Sequence, residues 1–265
     1  MLRLDLMELA DLVRPEQLVD EILKQNPQLP LPIPVVELAR LAGISKIEAL
    51  STQGFEGTLI ANAEKTDGAI FYNGTVPRSR QRFTIGHELG HFLLPWHRQT
   101  TFECTAEDIS NRARKDWEVQ ANQFSAELLM PEALVKARLQ ANGDPELAHI
   151  QKLSNQFEVS FEAAARRLIE LSEYACAVVF SKDNVVRYWV KSDYFAEQIV
   201  VRKGDKLPHK SPSNRAESDP EEWHELIASW WVKERQGDDL PESVYEQTLC
   251  QDSGYKVTLL IFTQN

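Results

Sequence analysis

The stretch Arg82–His97, RFTIGHELGHFLLPWH, decides how this chain is read. It sets three histidines within eleven residues, a glutamate directly after the first, and two glycines inside what otherwise patterns as a helix. His87, Glu88 and His91 spell H-E-x-x-H. Residues four apart in a helix lie one turn apart on the same face, so two imidazoles there can reach one ion at about 2 Å. Glu88 is rotated by about 100° from His87, which sets its carboxylate beside the ion rather than on it. A general base belongs there, to take a proton from water and pass it to a leaving amine. Gly86 and Gly90 each cost about 1 kcal/mol relative to alanine in a helix. They too are four apart, and they form a stripe without side chains along which a second helix can come close.

A third ligand has to come from elsewhere, and two candidates stand open. His97 lies six residues after His91, but the turn that would bring such a residue back to the metal calls for glycine at the position held by Leu94. Glu118 opens a second helix, "KDWEVQANQFSAELLM", whose face at Glu118, Ala121, Asn122 and Ser125 is small and polar. Its other side carries Trp117, Phe124 and Leu128. A carboxylate backed by an amide one turn on suits a metal ligand with outer support, and two histidines plus one glutamate leave a corner open. Asp116 is the fallback if the helical register shifts.

Composition narrows the class. The chain has 265 residues, 43 % of them hydrophobic, and a net charge of −11. No apolar run approaches the ~18 residues of a membrane span. The acids Asp5, Glu8 and Asp11 near the start argue against a signal peptide, so a cytoplasmic location is expected. Cys104, Cys176 and Cys250 are scattered and odd in number, which argues for reduced thiols over a disulfide framework. The acidic balance opposes general binding to phosphate backbones. Arg78, Arg80, Arg82 and Arg98 around the histidine segment read as a solvated basic face.

Along the chain the fold class reads as α+β. Residues 1–43 pattern as helices, with Leu18, Val19, Ile22 and Leu23 on one face. Three short segments between 45 and 73 read as a small antiparallel sheet. The histidine helix runs from Pro77 to about Leu94, the second long helix spans about 115–130, and shorter helices fill 132–172. From Tyr174 the chain turns β-rich, with strands expected at "ACAVVFS", "VVRYWVK", "QIVVRK", "ELIASWWVK", "SVYEQTLC" and "YKVTLLIFTQ". The polar run "KLPHKSPSNRAESDPEE" between them reads as a mobile loop. Three parts are expected: 1–131, 132–172 and 173–265.

"RSRQRFTIGHELGHFLL" followed by "WEVQANQFSAELLMP" resembles the ImmA/IrrE family of zinc peptidases. Arg80–His91 and Glu118–Pro131 match its pattern, with Ser125 where the family usually has alanine. "IPVVELARLAGI" is also similar to its N-terminal helix. The resemblance implies a zincin-like peptidase domain with His87, His91 and Glu118 as zinc ligands and Glu88 as acid/base; manganese or iron would also suit the donors. It implies a site-specific endopeptidase whose substrate is a helix-turn-helix repressor, cleaved to release stress-response or mobile-element genes. The layout is similar to IrrE-type radiation-response regulators, whose last domain is GAF-like.

Tyr72, His97 and Arg82 are the candidates for contacting substrate or an oxyanion, Tyr72 first. A different reading is a metal-stabilised regulator that binds DNA through a helix-turn-helix-like segment. Residues 144–172 carry five acids against three bases, which favours a scaffold or docking role over DNA readout. Trp189, Trp230 and Trp231 read as core residues.

Overall fold

The computed structural model describes residues 2–52, 54–97, 101–104, 112–215, 217–233 and 241–262, with only the backbone for 101–104 and 112–115. Two compact units emerge: Met1–Glu132 with Gln156–Ser160, and Ala133–Asn155 with Phe161–Asn265. The α+β class is as expected. Among the described residues no helix is long and apolar enough to cross a membrane.

In the first unit, α1 (Leu6–Leu9) and α2 (Pro15–Gln25) lead into α3 (Val35–Ala42). Pro15 occupies the first turn of α2, where its missing N–H costs nothing, and Leu18, Val19 and Ile22 are fully buried. α3 ends at Gly43 in the left-handed region, φ 111°, where a Cβ would come 2.8 Å from the Thr66 carbonyl oxygen. Strands β1 (Ile44–Leu50), β2 (Gly57–Ala61), β3 (Gly68–Asn73) and β4 (Thr101–Cys104) then form one sheet, with α4 (Arg78–Leu93) between β3 and β4 in the chain.

This sheet corrects the expected three antiparallel strands. Its order is β1-β3-β2-β4, and β1 pairs with β3 in parallel. β2 and β3 form the hairpin, and β1 docks on the outer side of β3 rather than against β2. Successive strands reverse direction, so a strand that skips its neighbour must run parallel to the next one. β4 supplies the fourth strand, antiparallel to β2.

α4 is buried along most of its length, from Arg82 and Thr84 to Phe92, as a helix inside a core must be. α5 (Arg112–Leu129) crosses it closely. A Cβ on Gly86 would come 2.7 Å from Ser125 Oγ, and one on Gly90 would come 3.0 Å from Phe124 Cδ1. The glycine stripe is what lets the two backbones approach.

The second unit takes in all but the first residue of α6 (Glu132–Asn142), all but the last two of α7 (Leu147–Phe157), and α8 (Phe161–Leu171). The strands β5 (Cys176–Lys182), β6 (Val185–Lys191), β7 (Gln198–Ile199), β8 (His224–Ile227), β9 (Val232–Lys233), β10 (Ser243–Cys250) and β11 (Tyr255–Ile261) follow. Five of them make an antiparallel sheet in the order β6-β5-β11-β10-β8; β7 and β9 pair separately. "QIVVRK" is therefore a two-residue strand, and "ELIASWWVK" is split by a short 3-10 turn at Ala228–Trp230. One face of the sheet packs Ala177, Val179, Val186, Val244 and Leu260 around Trp231, while α8 packs on β5 and β6. Trp231 is a core residue, as expected.

Within the polar run expected to be a mobile loop, Ser211–Ser213 are instead pinned. Ser211, Pro212 and Ser213 are buried, and Ser211 Oγ and the Ser213 amide both donate to Glu246 of β10. Two of the run's serines are spent on one buried carboxyl group.

Candidate metal centre

α4 carries His87 and His91 one turn apart, and their Nε2 atoms lie 3.1 Å from each other. From α5, Glu118 sets one carboxylate oxygen 3.2 Å from His87 Nε2 and the other 3.3 Å from His91 Nε2. Among the described residues these three side chains form the group whose ligand atoms all fall within 4.8 Å of one another. Tetrahedral zinc with bonds of about 2.0–2.1 Å has ligand–ligand edges of about 3.3 Å, so the spacing suits a small divalent ion. The two imidazoles are buried and Glu118 is one-third exposed, which leaves one side of the cluster facing a cleft.

The proton arrangement tells more than the distances. Trp96 Nε1, which can only donate, gives its hydrogen to Gln120 Oε1 at 2.6 Å. Gln120 Oε1 is thus fixed as an acceptor, and His97 Nε2, 3.0 Å away, must donate to it. His97 Nδ1 is left with its lone pair and accepts from His91 Nδ1 at 2.9 Å. His91 therefore carries its hydrogen on Nδ1 and turns a bare Nε2 toward the cluster. His87 Nδ1 likewise faces Asn122 Oδ1 at 3.0 Å, so its Nε2 also points inward. Two nitrogen lone pairs and a carboxylate converge on one spot, and a cation or a proton has to stand among them. The donor set fits a divalent metal ion.

Burial sets the titration of these groups. It holds His91 down to about 4 and His97 to about 3, so both are neutral near pH 7. Burial also pulls on His87, but the Glu118 hydrogen bond and the charges of Glu88 and Glu118 outweigh it and leave His87 raised. For Glu118, burial alone would favour the neutral acid; the hydrogen bonds to His87 and His91 overcome this and hold the carboxyl well below its usual range.

Glu88 is fully buried at the floor of the same cleft, whose volume is about 470 Å³. Gly57 of β2 lies directly over it: a Cβ there would collide with Thr84 Cγ2 and come 3.0 Å from Glu88 Oε1. The glycine in "FEGTLI" is the sequence signal for this approach, since glycine inside a strand often marks a close neighbour. The small polar face of α5 is wholly used on α4. Glu118 joins the cluster, Asn122 orients His87, Ala121 lies under Gly90, and Ser125 donates to the Phe83 carbonyl at 2.8 Å.

The other candidates sit elsewhere. His97 is fully buried, stacks on Trp117 and bonds His91 and Gln120, so it backs the clustered His91 and lies outside the cluster itself. Arg82 is buried, with Nη2 donating to the Ile33 carbonyl at 2.8 Å and Nη1 3.7 Å from Glu158. Tyr72 faces Gly57 in the sheet register and is half-buried. None of these three lines the cleft. Asp116 is exposed and outside the cluster. Arg98 and the side chain of Cys104 lie outside the described residues. The sequence reading missed Gln120, Trp96 and Lys65. Lys65 Nζ caps the end of α4 by donating to the carbonyls of His91, at 2.6 Å, and Leu94, at 2.8 Å, and burial lowers it to about 8.

Residues 47–169, which include all three clustered side chains, match the family model of the IrrE N-terminal-like domain of peptidase family M78. None of the curated proteins matches the chain. Among solved structures it is similar to a Mycobacterium tuberculosis transcriptional regulator, at 14 % identity and a TM-score of 0.49, over 94 % of this chain and 76 % of that one.

Proposed function

We propose that this chain, whose residues 47–169 match the family model of the IrrE N-terminal-like domain of peptidase family M78, is a zinc-dependent endopeptidase of narrow specificity. The observation that carries the reading is the convergence of inward-facing lone pairs from His87, His91 and Glu118, with Glu88 buried beside them at the cleft floor. A divalent ion at that point supplies Lewis acidity toward water and toward a peptide carbonyl. His87 and His91 would hold it through Nε2 and Glu118 through its carboxylate. Glu88 accepts the proton of the attacking water and delivers it to the departing amine. The missing side chain at Gly57 leaves room for the Glu88 carboxylate, since a Cβ there would come 3.0 Å from Oε1.

The substrate we propose is a DNA-binding repressor, with residues 1–131 performing the cut, 132–172 acting as scaffold and 173–265 docking the substrate or sensing a signal. Direct DNA reading by α8 has less support. Its Glu162 is bound by Arg187 and Tyr188 of β6, and Arg166 lies over the Tyr188 ring, so these charges face the sheet of their own unit.

The test is to incubate the metal-loaded chain with repressors encoded by neighbouring genes and to read product masses. Glu88→Gln should lower cleavage by roughly 10²–10⁴-fold with metal content unchanged. Full cleavage by that variant would remove the peptidase reading.

A further inference from the structure

The cleft does not stop at Glu88. It continues to a second end walled by Phe55 and Phe83 and edged by Asn73, Arg80 and Glu56. Phe83 stands one turn before His87 on α4, and its ring centre is 6.4 Å from that imidazole, so this end adjoins the reacting centre. Both phenylalanines are half-buried. The wall is braced: Asn73 Nδ2 donates to the Phe55 carbonyl at 3.0 Å, and the Asn73 amide donates to the Glu56 carbonyl at 3.0 Å. A preformed recess with two aromatic rings beside a few placed polar groups is a usual form of ligand subsite.

Its two charged residues are spent on each other. Arg80 pairs with Glu56, and its guanidinium lies 5.5 Å from the centre of the Phe83 ring. Both side chains are about half-exposed, and an acidic side chain entering here competes with Glu56 for Arg80, whereas a basic one competes with Arg80 for Glu56. An apolar side chain disturbs neither charge and gains burial against two rings. We infer that this end of the cleft receives an apolar side chain next to the cleaved bond, and that the Glu56–Arg80 pair excludes charged residues from that position. The inference rests on the peptidase reading and adds the substrate's local chemistry to it.

The experiment exposes the metal-loaded full chain to a mixture of peptides of diverse sequence and maps every cut by mass spectrometry. Wild type should cut where one flanking position holds leucine, methionine, phenylalanine or a similar residue, with acidic and basic residues at least about 10-fold rarer there. Glu56→Gln leaves Arg80 without its partner and should raise acidic residues at that position about 10-fold relative to apolar ones. Arg80→Gln should instead raise basic residues. The exchange Glu56→Arg with Arg80→Glu should restore the wild-type profile, which separates a charge effect from damage to the fold. Cuts by wild type without preference at either flanking position would overturn the inference. So would a profile that none of the variants moves, with the peptidase reading left standing. Absence of any cut by wild type would instead remove the peptidase reading, and this inference with it.

Discussion

Glu118 and Glu246 are both glutamates set among polar partners, one in each compact unit, and their surroundings differ in one respect. Around Glu246, fully buried, every neighbour brings a hydrogen: the hydroxyl of Ser211 at 2.7 Å, the amide of Ser213 at 2.8 Å, the indole of Trp231 at 2.7 Å and the hydroxyl of Thr248 at 3.2 Å. Neutral donors saturate that carboxylate, and it needs nothing more. Glu118 instead reaches His87 Nε2 at 3.2 Å and His91 Nε2 at 3.3 Å, and the chain through Asn122, His97 and Gln120 turns the Nδ1 hydrogens of those rings outward. Converging donors make a structural pin, whereas converging nitrogen lone pairs and a carboxylate make a socket for a cation. Burial does not distinguish the two; the direction of the hydrogens does.

Paired substitutions test this contrast most severely. Glu118→Ala should reduce bound metal to less than about a tenth of the wild-type amount by elemental analysis, because two imidazoles alone are a weak site. Glu246→Ala should leave metal content at the wild-type value and destabilise instead. It strands two or three buried donors at about 1–3 kcal/mol each, so a total of roughly 3–5 kcal/mol is expected. At about 2–4 °C per kcal/mol for a protein of this size, thermal melting should fall by roughly 6–20 °C. Metal loss in the Glu246 variant, or full metal retention in the Glu118 variant, would erase the distinction.

His97 probes the outer layer of the socket. His97→Ala removes the group that fixes the hydrogen of His91 on Nδ1 while touching no ligand atom. Outer-layer losses of this kind typically weaken metal binding about 10–100-fold. Gln120→Leu should act in the same direction by freeing His97 to turn. Competition with a chromogenic chelator measures both, and an unchanged affinity in each would show that His91 needs no such support.

Much of this was legible in the sequence, for identifiable reasons. Helical spacing is local, so H-E-x-x-H, the glycine stripe and the polar face beginning at Glu118 could be read from residue types four apart. The direction of β1 could not, because pairing on the outer side of β3 is decided by tertiary packing. The role of His97 was hidden for a similar reason. It depends on Gln120, which meets His97 and its neighbour Trp96 only once α5 lies along α4. Ser211–Ser213 misled through composition: serine and proline favour turns, and nothing nearby shows that a glutamate 35 residues beyond Ser211 will hold them. Gly57 was visible as an oddity in a strand, but what it made room for was not.

The smallest effect expected is also the most specific to the acceptor-rich cluster. Without metal, His87 is the one member of the trio inclined to keep a proton, because its pKa is raised, whereas His91 lies at about 4 and Glu118 is held low. A metal ion entering at about pH 5.5 must therefore displace a single proton, the one on His87. The sign follows from the raised value. Affinity should climb about tenfold per pH unit from about 4 up to the His87 value and then level off; below about 4 the slope should steepen as His91 also takes a proton. Calorimetric titration in buffers of different ionisation enthalpy counts the protons directly. One proton released per ion at about pH 5.5 agrees with the arrangement of hydrogens given above. A count near two would mean that His91 is charged there, so that the chain from Trp96 through Gln120 and His97 does not set its tautomer.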